Sequence, residues 1–206
     1  MGTCRTIQLH ACCYFLCAWN LEYNAKKKQF TYYEKSDEKR AEYKAKIKRV
    51  PKEKRVYVDE SGVNTWLRRD YAYAPRGIII EDTKRGNRFE RLNIIGAQCN
   101  GNYYGIECYT QNTNSEFFEC WFETFLLKEI PKGFTVILDN ASFHREKILR
   151  KIARGKARLI FLPPYSPDYN PIEKTWANMK RYLSNNIQSY QSVADAVYDY
   201  FGVSEY

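Results

Sequence analysis

TVILDN, residues 135–140, is a nearly continuous apolar run that closes on an acid and an amide. A strand with one wet face alternates apolar and polar residues. Val136, Ile137 and Leu138 in direct succession instead mark a strand covered on both faces. The sheet that holds it must therefore carry helices on either side. Asp139 follows the last apolar residue, so its carboxylate falls at the sheet's carboxyl edge, where open α/β sheets commonly place their sites.

Upstream, VYVDES (residues 56–61) reads as a second short β-branched strand, bearing Asp59 at its end and halted by Gly62. LNIIGAQC (92–99) and YYGIECYT (103–110) are two more, joined through Asn100-Gly101, a strong hairpin signal. Between Asn114 and Ile130, Phe118, Trp121, Phe122, Phe125 and Leu126 recur at helical spacing behind a capping Asn or Ser. Downstream come a basic helix (Arg145 to Arg154), the strand RLIFL (158–162), the turn-rich PPYSPDYNP, and helices from Pro171 and near Gln191. The order predicts an α/β fold, a mixed β-sheet with helices on both faces. Asp37 to Arg49 has helical composition and stops before Pro51. Three regions follow: an atypical N-terminal segment (1–25), a basic helical arm or linker (26–55) and the α/β domain (56–206).

The net charge of +9 is concentrated in two places. Lys26 to Arg55 holds 13 Lys/Arg against 5 Asp/Glu, beginning with Lys26, Lys27 and Lys28, and Arg145 to Arg158 holds 7 against 1. Such clustering points to a polyanion partner, with a solvated helical surface as the plainer alternative. The 44% hydrophobic content supports a folded core. Seven cysteines, an odd number without a CxxC pair, fit free thiols in a reducing compartment better than a disulfide framework. His10 and the N-terminal cysteines match no standard zinc spacing. The apolar run Ile7 to Trp19 is too short to span a bilayer, and the expectation is a cytoplasmic protein with no membrane partner.

Three acids stand on separate elements: Asp59, Asp139 and Glu173. Singly, each Asp could be a turn former, and Glu173 could serve only its helix. Asn170-Pro171-Ile172-Glu173 fits Asn at the N-cap, Pro at N1 and Glu at the capping-box position. Together, carboxylates without His or Cys support suit Mg²⁺ rather than zinc. Two such ions can activate a nucleophile on one side of a phosphodiester and stabilise the leaving oxygen on the other.

VYVDESG, VILDNASFH and LPPYSPDYNPIEKTWANMK together resemble the DDE transposases of the Tc-one/mariner superfamily, with the IS-six-thirty insertion-sequence family as the nearest group. The resemblance runs from about Lys26 to Leu183. Its most specific part is PPYSP-x-x-NPIE with Trp176 and Lys180 after it, and the second and third acids are 34 positions apart, as the family's triad expects. It implies an RNase H-like fold in which Asp59, Asp139 and Glu173 bind two Mg²⁺ or Mn²⁺ ions. It also implies double-stranded DNA as substrate, cut at transposon ends and joined to a target, usually at TA, by a homo-oligomer on DNA associated with the nucleoid. Asn140 and His144 match the family's DNASFH element and are expected to support Asp139 or touch DNA, with a helix-start role as the plainer reading of His144. Lys180 and Lys26 to Lys28 are further DNA-contact candidates. A helix-turn-helix region usual in the family has no match here, so the chain is expected to be the second frame of a two-frame element or a truncated copy. A nuclease without strand transfer and a non-catalytic DNA-binding fragment are the alternatives.

Overall fold

Val136, Ile137 and Leu138 lie in an interior strand of a five-stranded sheet: β1 (Arg55–Asn64), β2 (Arg91–Cys99), β3 (Asn102–Tyr109), β4 (Thr135–Leu138) and β5 (Arg158–Phe161), ordered β3-β2-β1-β4-β5. The computed structural model describes residues 36–64, 74–79, 81 and 91–203. The 1–25 segment, Lys26, Lys27 and Lys28 lie outside these residues. All four residues of β4 are buried, as a strand covered on both faces requires. β1 runs antiparallel to β2 and parallel to β4, β2 is antiparallel to β3, and β4 is parallel to β5. The sheet is therefore mixed, with its antiparallel half supplied by hairpins.

The β2–β3 turn is made by Asn100 and Gly101, both at positive φ (49° and 85°), the geometry that matches the right-handed twist of a two-residue hairpin. β1 is longer than its sequence suggests. Gly62 does not stop it, because the antiparallel ladder with β2 continues through Gly62↔Asn93 to Asn64↔Arg91. Asp59 consequently sits in mid-strand rather than at a strand end.

Helices cover both faces. On one, α2 (Ser115–Trp121) passes through a π-helical turn (Phe122–Leu126) into α3 (Leu127–Glu129), and α4 (Glu146–Ile152) lies beside them. Phe118, Trp121, Phe122, Leu126 and Leu149 pack there on Val56, Val58, Val136 and Leu138. Asn114 caps α2, its side chain accepting from the Phe117 amide. On the other face, α5 (Ile172–Asn186) and α6 (Val193–Phe201) bury Ile172, Trp176, Met179, Leu183 and Phe201 against Val63, Ile94 and Ile106. Ser192 and Asp195 close a capping box at the start of α6.

The basic region also contributes a core element. α1 (Asp37–Lys48), capped by Ser36, buries Arg40, Tyr43 and Ile47, residues spaced to form one helical stripe. Tyr43 and Ile47 pack with Ile137 of β4 and with Leu162. Tyr43 also stacks on Tyr169, with ring centroids 5.3 Å apart. Arg40 donates to Ser166 Oγ at 2.7 Å and to both Asp168 oxygens at 3.0 and 2.5 Å. Removing this helix would open the core over β4, so its contribution to stability is separable from its charge only by single substitutions. Tyr43→Ala should cost about 3–5 kcal/mol, the usual range for a buried aromatic. The melting temperature should fall by roughly 10 °C; an unchanged thermal melt would show that α1 does not pack on the sheet.

Candidate active site

The parallel register of β1 and β4 brings the first two acids together. Their pairing ends at Tyr57↔Ile137. Asp59 and Asp139 each lie two residues beyond, so both come from the same side of two adjacent chains as these part. Asn170 occupies the parting, its Nδ2 donating to the Val58 carbonyl at 3.4 Å. Asp59, Asp139, Asn140, Asn170 and Glu173 line one cleft of about 500 Å³, walled by the Pro163–Pro167 segment. The three acids read from the sequence thus share one cleft.

Trp176, one helical turn after Glu173 on α5, donates its Nε1–H to Asp59 Oδ2 at 3.1 Å. Gly96, opposite Asp59 on β2, makes room for this contact. A Cβ there would stand 2.4 Å from Ile106 Cδ1 and 3.4 Å from the Trp176 ring.

Glu173 does not cap its helix. α5 begins at Ile172, its N-cap is Pro171, and no side chain caps it. The Asn170 side chain expected at that cap is turned to Val58 instead. Two residues escaped the sequence reading. Glu60 approaches His144, with Oε1 3.3 Å from Nε2. Trp176 was recognisable only as part of a motif, with nothing in the sequence to say that its indole meets Asp59.

His144 does not serve the start of α4, whose N-cap is Arg145 without a side-chain cap. Its Nδ1 lies 2.9 Å from Asp139 Oδ1, an oxygen that also accepts from the Ala141 amide at 3.0 Å. Asn140 donates from Nδ2 to the Leu162 carbonyl at 2.8 Å, tying the end of β4 to that of β5. Lys180 is not in the acidic cleft; it lines a smaller polar one with Glu60, Ser61, Arg91 and Tyr109.

The electrostatics divide the acids. Burial, then the charges of Glu60 and Asp139 and more weakly Glu173, push the Asp59 carboxyl up to about 7. Burial, and then Asp168, also raises Glu173. Burial acts the same way on Asp139, but its hydrogen bond and charge pairing with His144, with the Ala141 amide, outweigh it and leave Asp139 below its ordinary value. Burial lowers His144, while Asp139 and Glu60 together raise it further, to about 9.

Oxygen-only donors and a carboxyl held up by like charges form a set that a hard divalent cation would relieve. Among the described residues no group of three such side chains closes on a single point. Mg²⁺ typically draws on one or two carboxylates and completes its shell with water and phosphate oxygens, so a shared cleft is compatible with such ions. The three described cysteines, Cys99, Cys108 and Cys120, are free thiols. No helix among the described residues is long and apolar enough to cross a membrane.

Residues 54–194 match the family model described as DDE superfamily endonuclease. The fold is shared with a Mos1 transposase paired-end complex with the left transposon end, at 16% identity and a TM-score of 0.69, over 96% of this chain and 65% of that one. A pre-cleavage Mos1 transpososome gives 17% identity and a TM-score of 0.70, over 96% and 66%. A mariner Mos1 paired-end complex with Mg gives 13% identity and a TM-score of 0.62, over 95% and 69%. The chain spans about two thirds of the length of these transposase chains. No curated protein matches the sequence. The RNase H-like fold expected from the sequence is the one found.

A carboxyl raised from 3.8 to about 7 holds a proton in the folded state that the unfolded chain has released. Folding stability in metal-free protein should therefore fall as pH rises through that window. Asp59→Asn abolishes this loss, so its stability advantage over the parent should grow from below pH 4 to about pH 7 and then stay constant. Unfolding in EDTA across the range measures it, and a pH-independent difference would show that Asp59 is not so perturbed.

Proposed function

The chain belongs to the DDE superfamily of endonucleases, and we propose that it is the catalytic portion of a transposase that cuts DNA at insertion-sequence ends and joins them to a target. The observation that carries this reading is the convergence of Asp59, Asp139 and Glu173, from three separate elements, on one cleft. Two Mg²⁺ or Mn²⁺ ions bound there would supply an activated nucleophile and stabilise the leaving oxygen of the phosphodiester. Support for these ions comes from the oxygen-only donor set and from the mariner paired-end complexes solved with Mg and with Mn.

Each residue of the cleft then has a task. Asp59, Asp139 and Glu173 would hold the ions. Trp176 orients Asp59 through Oδ2, and Asn140 fixes the β4 end from which Asp139 projects. Transposon ends and target are double-stranded DNA, with TA the target step. The chain works as a homo-oligomer on DNA, in the nucleoid. Membership of the IS-six-thirty group accords with the PPYSP-x-x-NPIE motif.

Nicking of supercoiled DNA should require Mg²⁺ or Mn²⁺, and Asp59→Ala, Asp139→Ala or Glu173→Ala should each reduce it to background. Full activity in EDTA, or in any of the three variants, would sink the assignment. Nicked products never joined to a target would favour a plain nuclease. Glu173→Gln sharpens the test: because Glu173 makes no cap, its melting temperature should stay near the parent's while cleavage is lost.

The exposed cations of the basic helix and its C-cap (Lys39, Lys44, Lys48 and Arg49) are positioned to meet phosphates, and Lys26, Lys27 and Lys28 are proposed as further phosphate contacts. Replacing Lys39, Lys48 and Arg49 with Ala should reduce the slope of log K against log salt by about 0.9 for each phosphate that is no longer neutralised. An unchanged slope would leave α1 as scaffold alone.

A further inference from the structure

Glu60 lies next to Asp59 on β1 but, since side chains alternate across a strand, belongs to the opposite face of the sheet. Its carboxylate is only 17% exposed, a costly placement for a charge without a partner. The partner is His144. Its imidazole is 2% exposed and sits between two carboxylates, Nε2 3.3 Å from Glu60 Oε1 and Nδ1 2.9 Å from Asp139 Oδ1. Phe118 and Phe143 pack on the ring, with centroids 4.1 and 4.5 Å away. Those two neighbours restrict where the ring can sit. They do not distinguish the two ring orientations related by a half-turn about the Cβ–Cγ bond, and that choice decides whether Nδ1 or Cδ2 faces Asp139.

We propose that Glu60 is a positioning residue: by engaging His144 Nε2 it fixes the imidazole so that Nδ1 holds Asp139 Oδ1, which leaves Oδ2 as the oxygen offered to a cation. The inference rests on the reading of Asp139 as a metal ligand. Oδ1 is already taken up by the Ala141 amide and His144, so a freely turning Asp139 would present its two oxygens interchangeably and bind a cation less well. Outer-shell hydrogen bonds to ligating groups typically contribute 10- to 100-fold in metal affinity or activity; His144 makes that bond to Asp139, and Glu60 acts on it from one bond further out.

The test uses the full chain without DNA, with Mn²⁺ binding followed by calorimetry and the histidine rings by ¹⁵N NMR in metal-free protein. Only His10 and His144 contribute ring signals. Glu60→Ala should weaken Mn²⁺ binding about 10- to 100-fold and shift the His144 Nε2 resonance. Glu60→Gln keeps an acceptor oxygen for Nε2 and should retain most of the affinity. In a His144→Ala background, Glu60→Ala should add nothing further, because it acts through the ring.

Three results would overturn the proposal. One is Mn²⁺ binding by Glu60→Ala equal to the parent's. Another is a loss in Glu60→Gln as large as in Glu60→Ala, which would mean that Glu60 acts by its charge on the cleft. The third is additive losses in the double variant. Glu60→Met, similar in size and without an acceptor, replaces Glu60→Ala if the smaller side chain prevents folding. Failure of the parent chain itself to bind Mn²⁺ would instead remove the reading of the triad, a separate outcome.

Discussion

The hydrogen bond from the Trp176 indole to Asp59 joins the middle of the sheet to the helix that carries Glu173. It thereby ties the first acid to the helix of the third, although the two acids are more than a hundred positions apart in the chain. The indole is itself embedded in the core formed by Ile94, Ile106, Met179 and Phe201. Its N–H must find an acceptor when buried, and the carboxylate it finds is the one that burial disfavours most. Packing energy from the apolar face of α5 thereby holds a charged group in a place where it would not settle unaided. The missing side chain at Gly96 belongs to the same packing, since a Cβ there would meet the Ile106 Cδ1 atom at 2.4 Å and force that side chain to turn beside the indole.

The site balances its charges unevenly. Asp139 has two donors in Ala141 and His144 and stays below its ordinary value, whereas the donors to Asp59, the Trp176 indole and the Glu60 amide, are both neutral and its three acidic neighbours push it toward protonation. Such strain is tolerable because the surrounding fold over-determines the positions. A divalent cation in the cleft would reverse the balance, turning mutual repulsion between Asp59, Asp139 and Glu173 into shared attraction.

Much of this was legible in the sequence, and the exceptions have identifiable causes. β4 announces itself because burial on both faces demands consecutive apolar residues, and the Asn100-Gly101 turn because few other pairs accept two positive φ values. β1 was read too short at Gly62: a glycine weakens a strand by its own propensity, but eight rungs of antiparallel pairing to β2 override it. The three acids were found from strand ends and a motif. Glu60 was missed because it lies on the other face of β1, and only the fold reveals that His144, 84 residues later, reaches it. The capping reading of Glu173 failed for a similar reason, since the sequence could not show that the Asn170 side chain is drawn to the Val58 carbonyl.

The basic helix was legible as a helix but not as a support, because its buried stripe consists of Arg40, Tyr43 and Ile47, two of them amphipathic residues that also suit a surface. In the fold this stripe grips the segment that delivers Glu173. Arg40 holds Ser166 and Asp168, the Arg40 guanidinium lies 4.1 Å from the centre of the Tyr169 ring, and Tyr43 stacks on that same ring. Pro167–Tyr169 forms a 3₁₀ turn whose next residue, Asn170, fills the gap between β1 and β4 and whose continuation is α5. The third acid is therefore located from two sides, by Trp176 within its own helix and by α1 through the turn before it. A region read on charge as a nucleic-acid contact is in this way also a brace for the acidic cleft, so truncating it would disturb the fold as well as remove charge. Only substitutions confined to its exposed cations separate the two.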